Sequence, residues 1–174
     1  GLDYGKTYSY RVGDTALGTY SPIYTFTTRP QTVSNFSFIY TADTQPEQGD
    51  KKGYVGMNAL FNKALSVAPN APFFVSGGDF VYSSDGGGDT ISVWRNMING
   101  CNNMNSNTSI FAEHPWSIAD GNPDGGYVQR FFNNTVGVAG KSCFSYEYGD
   151  LHIAVLDSGK NGVVSDQTNL LQSD

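Results

Sequence analysis

The 174-residue sequence predicts a layered α/β fold preceded by a pair of β-strands. Three observations carry that expectation. Residues 1–29 alternate polar and apolar with a period of two. From residue 36 onward, short apolar runs alternate with segments of helical period. Gly, Pro and Asp punctuate the chain between them. Strands that alternate with helices bury their apolar faces by stacking in layers.

The elements follow in order. Residues 7–12, TYSYRV, alternate as a half-buried strand does, and residues 22–28, PIYTFTT, do the same beyond Gly13-Asp14 and Gly18. Two strands are a marginal unit in water, so these need partners. Pro30 keeps Arg29 out of helix and marks a linker. Residues 36–42 are aromatic and β-branched and predict a strand. Residues 54–68 predict an amphipathic helix, with Met57, Leu60, Phe61, Ala64, Leu65 and Ala68 on one face and Pro69 and Pro72 ending it. Residues 73–76, FFVS, are a buried-type strand. A glycine-rich stretch, 83–89, leads to a second helix with Ile91, Trp94 and Ile98 on one face, and an Asn/Ser loop covers 100–110. Residues 116–119 form a third short strand. Residues 143–148 and 151–156 make a hairpin that turns at Gly149-Asp150, and a last helix starts at Ser165.

Composition removes several function classes. Hydrophobic residues at 39% allow a packed core, and 21 Gly with 7 Pro stay below the level of low-complexity chains. A net charge of −6 argues against a nucleic-acid binder, because a phosphate backbone needs a basic face. No apolar run reaches the roughly 18–20 residues of a membrane span. Charged residues at 15%, against a typical ~25%, with many Tyr, Asn, Ser and Gly and few Lys, lean toward a secreted, extracellular protein, whereas the three N-x-S/T triplets at Asn35, Asn107 and Asn133 arise easily by chance in an Asn-rich chain. Cys101 and Cys143 are the only cysteines and form no C-x-x-C pair. They are either two buried free thiols or one disulfide. The chain opens on Gly1 with no leader, and the expectation is a piece of a longer protein.

Chemistry concentrates where strands end. Asp43 follows the strand at 36–42. Asp79 follows Gly77-Gly78 after the strand at 73–76, with Tyr82 three residues on. Asn122 follows Gly121 after the strand at 116–119. Layered α/β domains bind ligands at such ends. Carboxylate, amide and phenolate oxygens suit hard or borderline metal ions.

This ordered series, Asp43, Gly78-Asp79-x-x-Tyr82 and Gly121-Asn122, resembles the first half of a calcineurin-like metallophosphoesterase. Within that family the tyrosine after Asp79 is similar to the purple acid phosphatases. The stretch Tyr146-x-Tyr148-Gly149-Asp150-Leu151-His152 leading to Leu156-Asp157-Ser158 resembles the hairpin that follows the Gly-Asn motif there. In front, Leu2, Tyr8, Tyr10 and Val12 followed by Ser21-Pro22, Tyr24, Phe26 and Thr28 resemble the last two strands of a fibronectin type III domain, with Leu2 and Tyr8 as its tyrosine corner. The resemblance implies residues 1–29 as the C-terminal strands of a fibronectin-like β-sandwich. It implies residues 30–174 as the N-terminal part of a metallophosphoesterase domain. It also implies two metal ions, iron with zinc, manganese or a second iron. Asp43 and Tyr82 would bind the first, Asp79 would bridge, and Asn122 would bind the second. The implied substrate is a small phosphate ester.

The sequence departs from the family in two ways. The family has histidine after Gly-Asn; this chain has Pro123, which can neither contact a phosphate nor donate a proton. That removes help worth roughly 10²–10⁴ in rate. The later histidine ligands are also absent: the chain has only His114 and His152, expected as a loop residue and a strand residue. Three functions follow: a phosphomonoesterase, a catalytically impaired binding protein on the same fold, or an adhesion module working through its first strands. Asp120, Asp124 and Asp157 are expected in turns or behind the ligands. The Asp85–Asp89 run is expected as a flexible loop.

Overall fold

The structure is a computed structural model that describes residues 1–45, 53–82, 90–101, 110–121, 124, 128, 143–157 and 165–173. It is a mixed α/β arrangement with a small parallel sheet and several antiparallel hairpins.

The first hairpin pairs β1 (Thr7–Tyr10) with β4 (Tyr24–Thr27) in register Tyr8 opposite Phe26 and Tyr10 opposite Tyr24. The cross-strand aromatic pairs sit 5.8 Å apart, the contact that stabilises a two-stranded ribbon. The connection holds a second, minimal hairpin, β2 (Gly13–Asp14) with β3 (Thr19–Tyr20). Asp14 Oδ1 accepts from the Ala16 and Leu17 N–H groups, and Gly18 takes φ +64°, so a side-chain-capped turn closes it. The Tyr8 hydroxyl accepts from Asp3 N–H, a tie back to the preceding backbone. Leu2, Val12, Leu17 and Ile23 remain more than half exposed. Tyr10 donates to the Ala112 carbonyl, which seats the hairpin against the rest of the chain.

The parallel sheet has order β5 (Ile39–Thr41), β6 (Phe74–Ser76), β7 (Trp116–Ile118). Helix α1 (Gly53–Val67) crosses from β5 to β6; α2 (Thr90–Cys101) and the short α3 (Ile110–Glu113) lie between β6 and β7. Parallel neighbours need such crossovers. Alternation along β6 and β7 sends Phe74, Trp116 and Ile118 to the helical side. There Phe61 of α1 meets Phe74, Phe80 and Trp116 at 5.0–6.2 Å, and Trp94 of α2 stacks on Phe80. Phe61, Phe74, Phe80, Trp94, Met97 and Ile118 have no exposed surface.

The two helices differ from expectation in which residues they bury. Leu60 is 51% exposed and Ile91 is 38% exposed, whereas Met97 and Cys101 are fully buried. Trp94 and Ile98 of the predicted face of α2 do pack in the core, where Met97 and Cys101 join them in place of Ile91. Helix α1 approaches α2 closely here: a Cβ on Gly100 would overlap Tyr54. Asn58 of α1, itself buried, donates to the Cys101 carbonyl and satisfies an orphan group at the end of α2.

The other side of the sheet faces the hairpin β8 (Phe144–Tyr148) and β9 (Leu151–Val155), turned at Gly149 with φ +63°. Phe73 packs on Tyr146 and Tyr148 at 5.9 and 5.3 Å. The exposed His152–Glu147 contact, at 3.9 Å, adds little. Helix α4 (Ser165–Ser173) docks through Gln167, whose carboxamide bonds the Asp157 backbone in both directions at 2.7 Å. No described helix is long and apolar enough to cross a membrane.

Both cysteines are buried and free. Burial pushes the Cys101 thiol up to about 12, so almost none is thiolate at neutral pH. The native chain is expected to give no fast reaction with a thiol reagent at pH 8 and two equivalents after denaturation. A rapid native reaction would contradict this packing.

Candidate functional site

A parallel sheet delivers the C-terminal ends of its strands to one edge. Here that edge collects the segments that follow β5, β6 and β7. The ladder continues past the strands: Gly77 N–H donates to Thr41 O at 2.8 Å, Asp43 N–H to Gly78 O at 3.1 Å, Gln45 N–H to Asp79 O at 3.1 Å, and Ala119 N–H to Ser76 O at 3.0 Å. Four backbone bonds thus lock the Asp43 segment, the Asp79 segment and the start of the third together.

Asp43 and Asp79 are the only described non-glycine residues with positive φ, at 52° and 53°. Aspartate tolerates this left-handed region better than most residues, yet each instance stores roughly 1–3 kcal/mol. Gly78 precedes Asp79 at φ +102°. Two strained aspartates at adjacent strand ends, in a region otherwise free of such outliers, are the hallmark of imposed geometry.

The Asp79 carboxylate has a neighbour on each side. Its Oδ2 accepts from Gln45 Nε2 at 3.4 Å. Its Oδ1 lies against Gly121, where any Cβ would overlap it and the Asp79 N. Tyr82 follows three residues on, at 40% exposure. The structure therefore brings Asp43 and Asp79 together through their backbones and sets Gly121 beside Asp79. Asn122 and Pro123 lie outside the described residues, as does the Asp85–Asp89 run.

The residue that ties this edge together is Asp124. It is fully buried. Its Oδ1 accepts from Phe80 and Val81 N–H at 2.7 and 2.8 Å, and its Oδ2 accepts from Gly121 N–H at 2.8 Å. Trp94 Nε1 donates to its carbonyl at 3.2 Å. One carboxylate therefore fastens the Asp79–Tyr82 segment to the Gly121 segment. Burial raises the Asp124 pKa, the three N–H bonds oppose that, and the Asp79 charge adds to it; the net direction is upward. Asp120 beside it is pushed up to about 7, first by burial and then by Asp124 and Asp157. The sequence marked Asp124 only as a turn or background residue. The acidic residue two places beyond Gly-Asn was the available signal. For Gln45 and Gln167 the sequence held none.

His114 is at the wrong end. It follows α3 and precedes β7, with its ring 5.7 Å from Phe74, so the length of the sheet separates it from Asp79. Burial lowers its pKa. A cleft of about 1060 Å³ also opens at this opposite end, between the first hairpin, Phe73, Trp116 and Tyr146. It is large, but it faces the N-terminal ends of the strands, where α/β sheets do not place their chemistry. We take it as a gap between layers.

Among the described residues, no three His, Cys, Asp or Glu side chains gather into a metal-holding group. The described donors are the Asp43 and Asp79 carboxylates and the Tyr82 phenol. Next to Asp43 in the chain are two buried oxygens that have no hydrogen-bond partner among the described residues, Thr44 Oγ1 and Gln45 Oε1. Oxygen donors with unmet demand fit a hard cation in kind. Comparison with protein-family models, with curated proteins and with solved structures finds no match for the chain.

Proposed function

We propose that this chain carries ligand-bearing loops of a metal-dependent phosphoric ester hydrolase, of acid phosphatase type and secreted, acting on small phosphate esters. The observation that carries the reading is the pair of left-handed aspartates, Asp43 and Asp79, tied backbone to backbone at the C-terminal edge of a parallel sheet. Asp43, Asp79, Tyr82 and Asn122 would hold metal, iron with zinc, manganese or a second iron. When bound, two such ions neutralise phosphate oxygens and lower the pKa of a bound water. The chain's own contribution is orientation. Asp124 fixes the backbone on either side of Asp79. Gly121 leaves room for the Asp79 carboxylate to approach. Both aspartates sit just past the ends of their strands in the left-handed region. In this reading the fold is a metallophosphoesterase-type layered domain, and residues 1–29 are strands of a fibronectin-like sandwich.

The second reading is a phosphoesterase-shaped binding protein with little turnover. Gly121-Asn122-Pro123 favours it, because proline offers no proton at the position where the family has histidine.

Tyr82 separates metal binding from a packing role. Iron(III) added to the chain is expected to give a visible phenolate band that Tyr82→Phe abolishes. Identical spectra for the two would remove Tyr82 from the site. Hydrolysis of a chromogenic phosphate ester then distinguishes the two readings. A gain of roughly 10²–10⁴ on Pro123→His marks an impaired descendant. Metal-dependent turnover in the natural form marks an enzyme. No turnover in either form, with no metal uptake, overturns both.

A further inference from the structure

We propose that Gln45 is an additional positioning residue of this site, orienting Asp79 through Nε2 and presenting Oε1 to the bound cation or to a water that the cation holds. The proposal rests on the metal-binding reading above and extends it to a residue outside the predicted ligand set.

Three observations converge on Gln45. Its backbone N–H donates to the Asp79 carbonyl at 3.1 Å, so its Cα is fixed relative to Asp79 whatever the side chain does. Its Nε2 faces Asp79 Oδ2 at 3.4 Å, a long bond but one that decides the amide's orientation, since the opposite face would set two oxygens against each other. In that orientation Oε1 is buried and, among the described residues, has no hydrogen-bond partner. The neighbouring Thr44 Oγ1 is in the same condition.

A buried acceptor without a donor is destabilising, and folded proteins rarely keep one without a use. An apolar residue of similar size would fill the same space without that penalty. The demand of Gln45 Oε1 is for a positive or donating group, beside a carboxylate at the end of a strand. A hard cation with its water shell meets that demand; an anion does not.

The test separates Gln45 from the rest of the site. Binding of Mn²⁺ alone to the full chain is measured by calorimetry for the natural sequence, Gln45→Leu, Gln45→Glu and Asp79→Asn, together with the melting temperature of each without metal. Gln45→Leu is expected to weaken Mn²⁺ by about 10–100-fold, the usual effect of losing a partner behind a ligand. Its metal-free melting temperature should be equal to or above that of the natural chain, because the orphan oxygen is gone. Gln45→Glu should restore binding through its carboxylate. Unchanged affinity in Gln45→Leu, with binding lost in Asp79→Asn, overturns the proposal and leaves the site intact. A fall in both affinity and metal-free stability also overturns it, since that marks a structural residue. No Mn²⁺ binding by the natural chain removes the underlying reading, and this proposal with it.

Discussion

Alanine at position 124 is expected to lower the unfolding free energy by about 3–5 kcal/mol. The Asp124 carboxylate has no exposed surface and is the partner of three backbone N–H groups, on Phe80, Val81 and Gly121. Each buried donor left without a partner costs roughly 1–3 kcal/mol. A water entering the vacated space recovers part of this, which holds the total below the simple sum. Folded domains have only about 5–15 kcal/mol in reserve, so the variant should sit near the edge of stability. Asp124→Asn keeps one acceptor oxygen but sets an amide N–H₂ against at least one backbone donor. It also removes a charge whose burial opposes folding. Its expected cost is smaller, about 1–2 kcal/mol. Urea midpoints for the two variants decide the matter. A loss under about 1 kcal/mol for Asp124→Ala would mean that the loop ends hold without their clamp.

Asp124 also shows what the sequence could and could not convey. The local signals were strong wherever periodicity governed. The parallel-sheet strands appeared where aromatic and β-branched runs predicted them, though β5 is trimmed to Ile39–Thr41. Helix α1 ends before Pro69, and the β8–β9 hairpin turns at Gly149-Asp150. Strand-end logic also put Asp43 and Asp79 just past their strands, where the structure has them, because a run of apolar residues that stops at a polar residue announces both the strand and its exit. Pairwise events between distant segments were not legible. Nothing in the sequence says that Asp124 bonds residues 43 and 44 positions upstream, or that Asn58 caps α2. The edge of the α2 face is of the same kind: Trp94 and Ile98 pack as the period predicts, but the helical period alone does not say that Met97 is buried and Ile91 exposed. The small β2–β3 hairpin was missed because its strands are two residues long and its turn depends on the Asp14 side chain.

Gly121 should also resist substitution, for a steric reason. A Cβ there would overlap the Asp79 N and Oδ1 and lie 2.8 Å from the Asp79 Cα. The obstruction is backbone on one side, so no flexible side chain can swing away. The Gly121 backbone cannot retreat freely, because its N–H is held by Asp124 Oδ2. Gly121→Ala must therefore either displace the Asp79 segment or break the Asp124 clamp. Overpacking of this kind costs about 1–3 kcal/mol, and two fixed backbones put Gly121 at the upper end. Gly56, inside α1, supplies the opposite sign. A Cβ there meets nothing within 4 Å, and glycine in a helix interior costs about 0.5–1 kcal/mol relative to alanine. Gly56→Ala should stabilise the chain by that amount and leave Mn²⁺ binding unchanged. If Asp79 holds metal, Gly121→Ala should lose at least tenfold in Mn²⁺ affinity, beyond what its reduced stability accounts for. Chemical denaturation and calorimetry on the two variants read both quantities. A Gly121→Ala chain as stable as the natural one would show that the Asp79 and Gly121 segments are not in contact. A destabilised chain that still binds Mn²⁺ with full affinity would show that the Asp79 carboxylate is not a ligand.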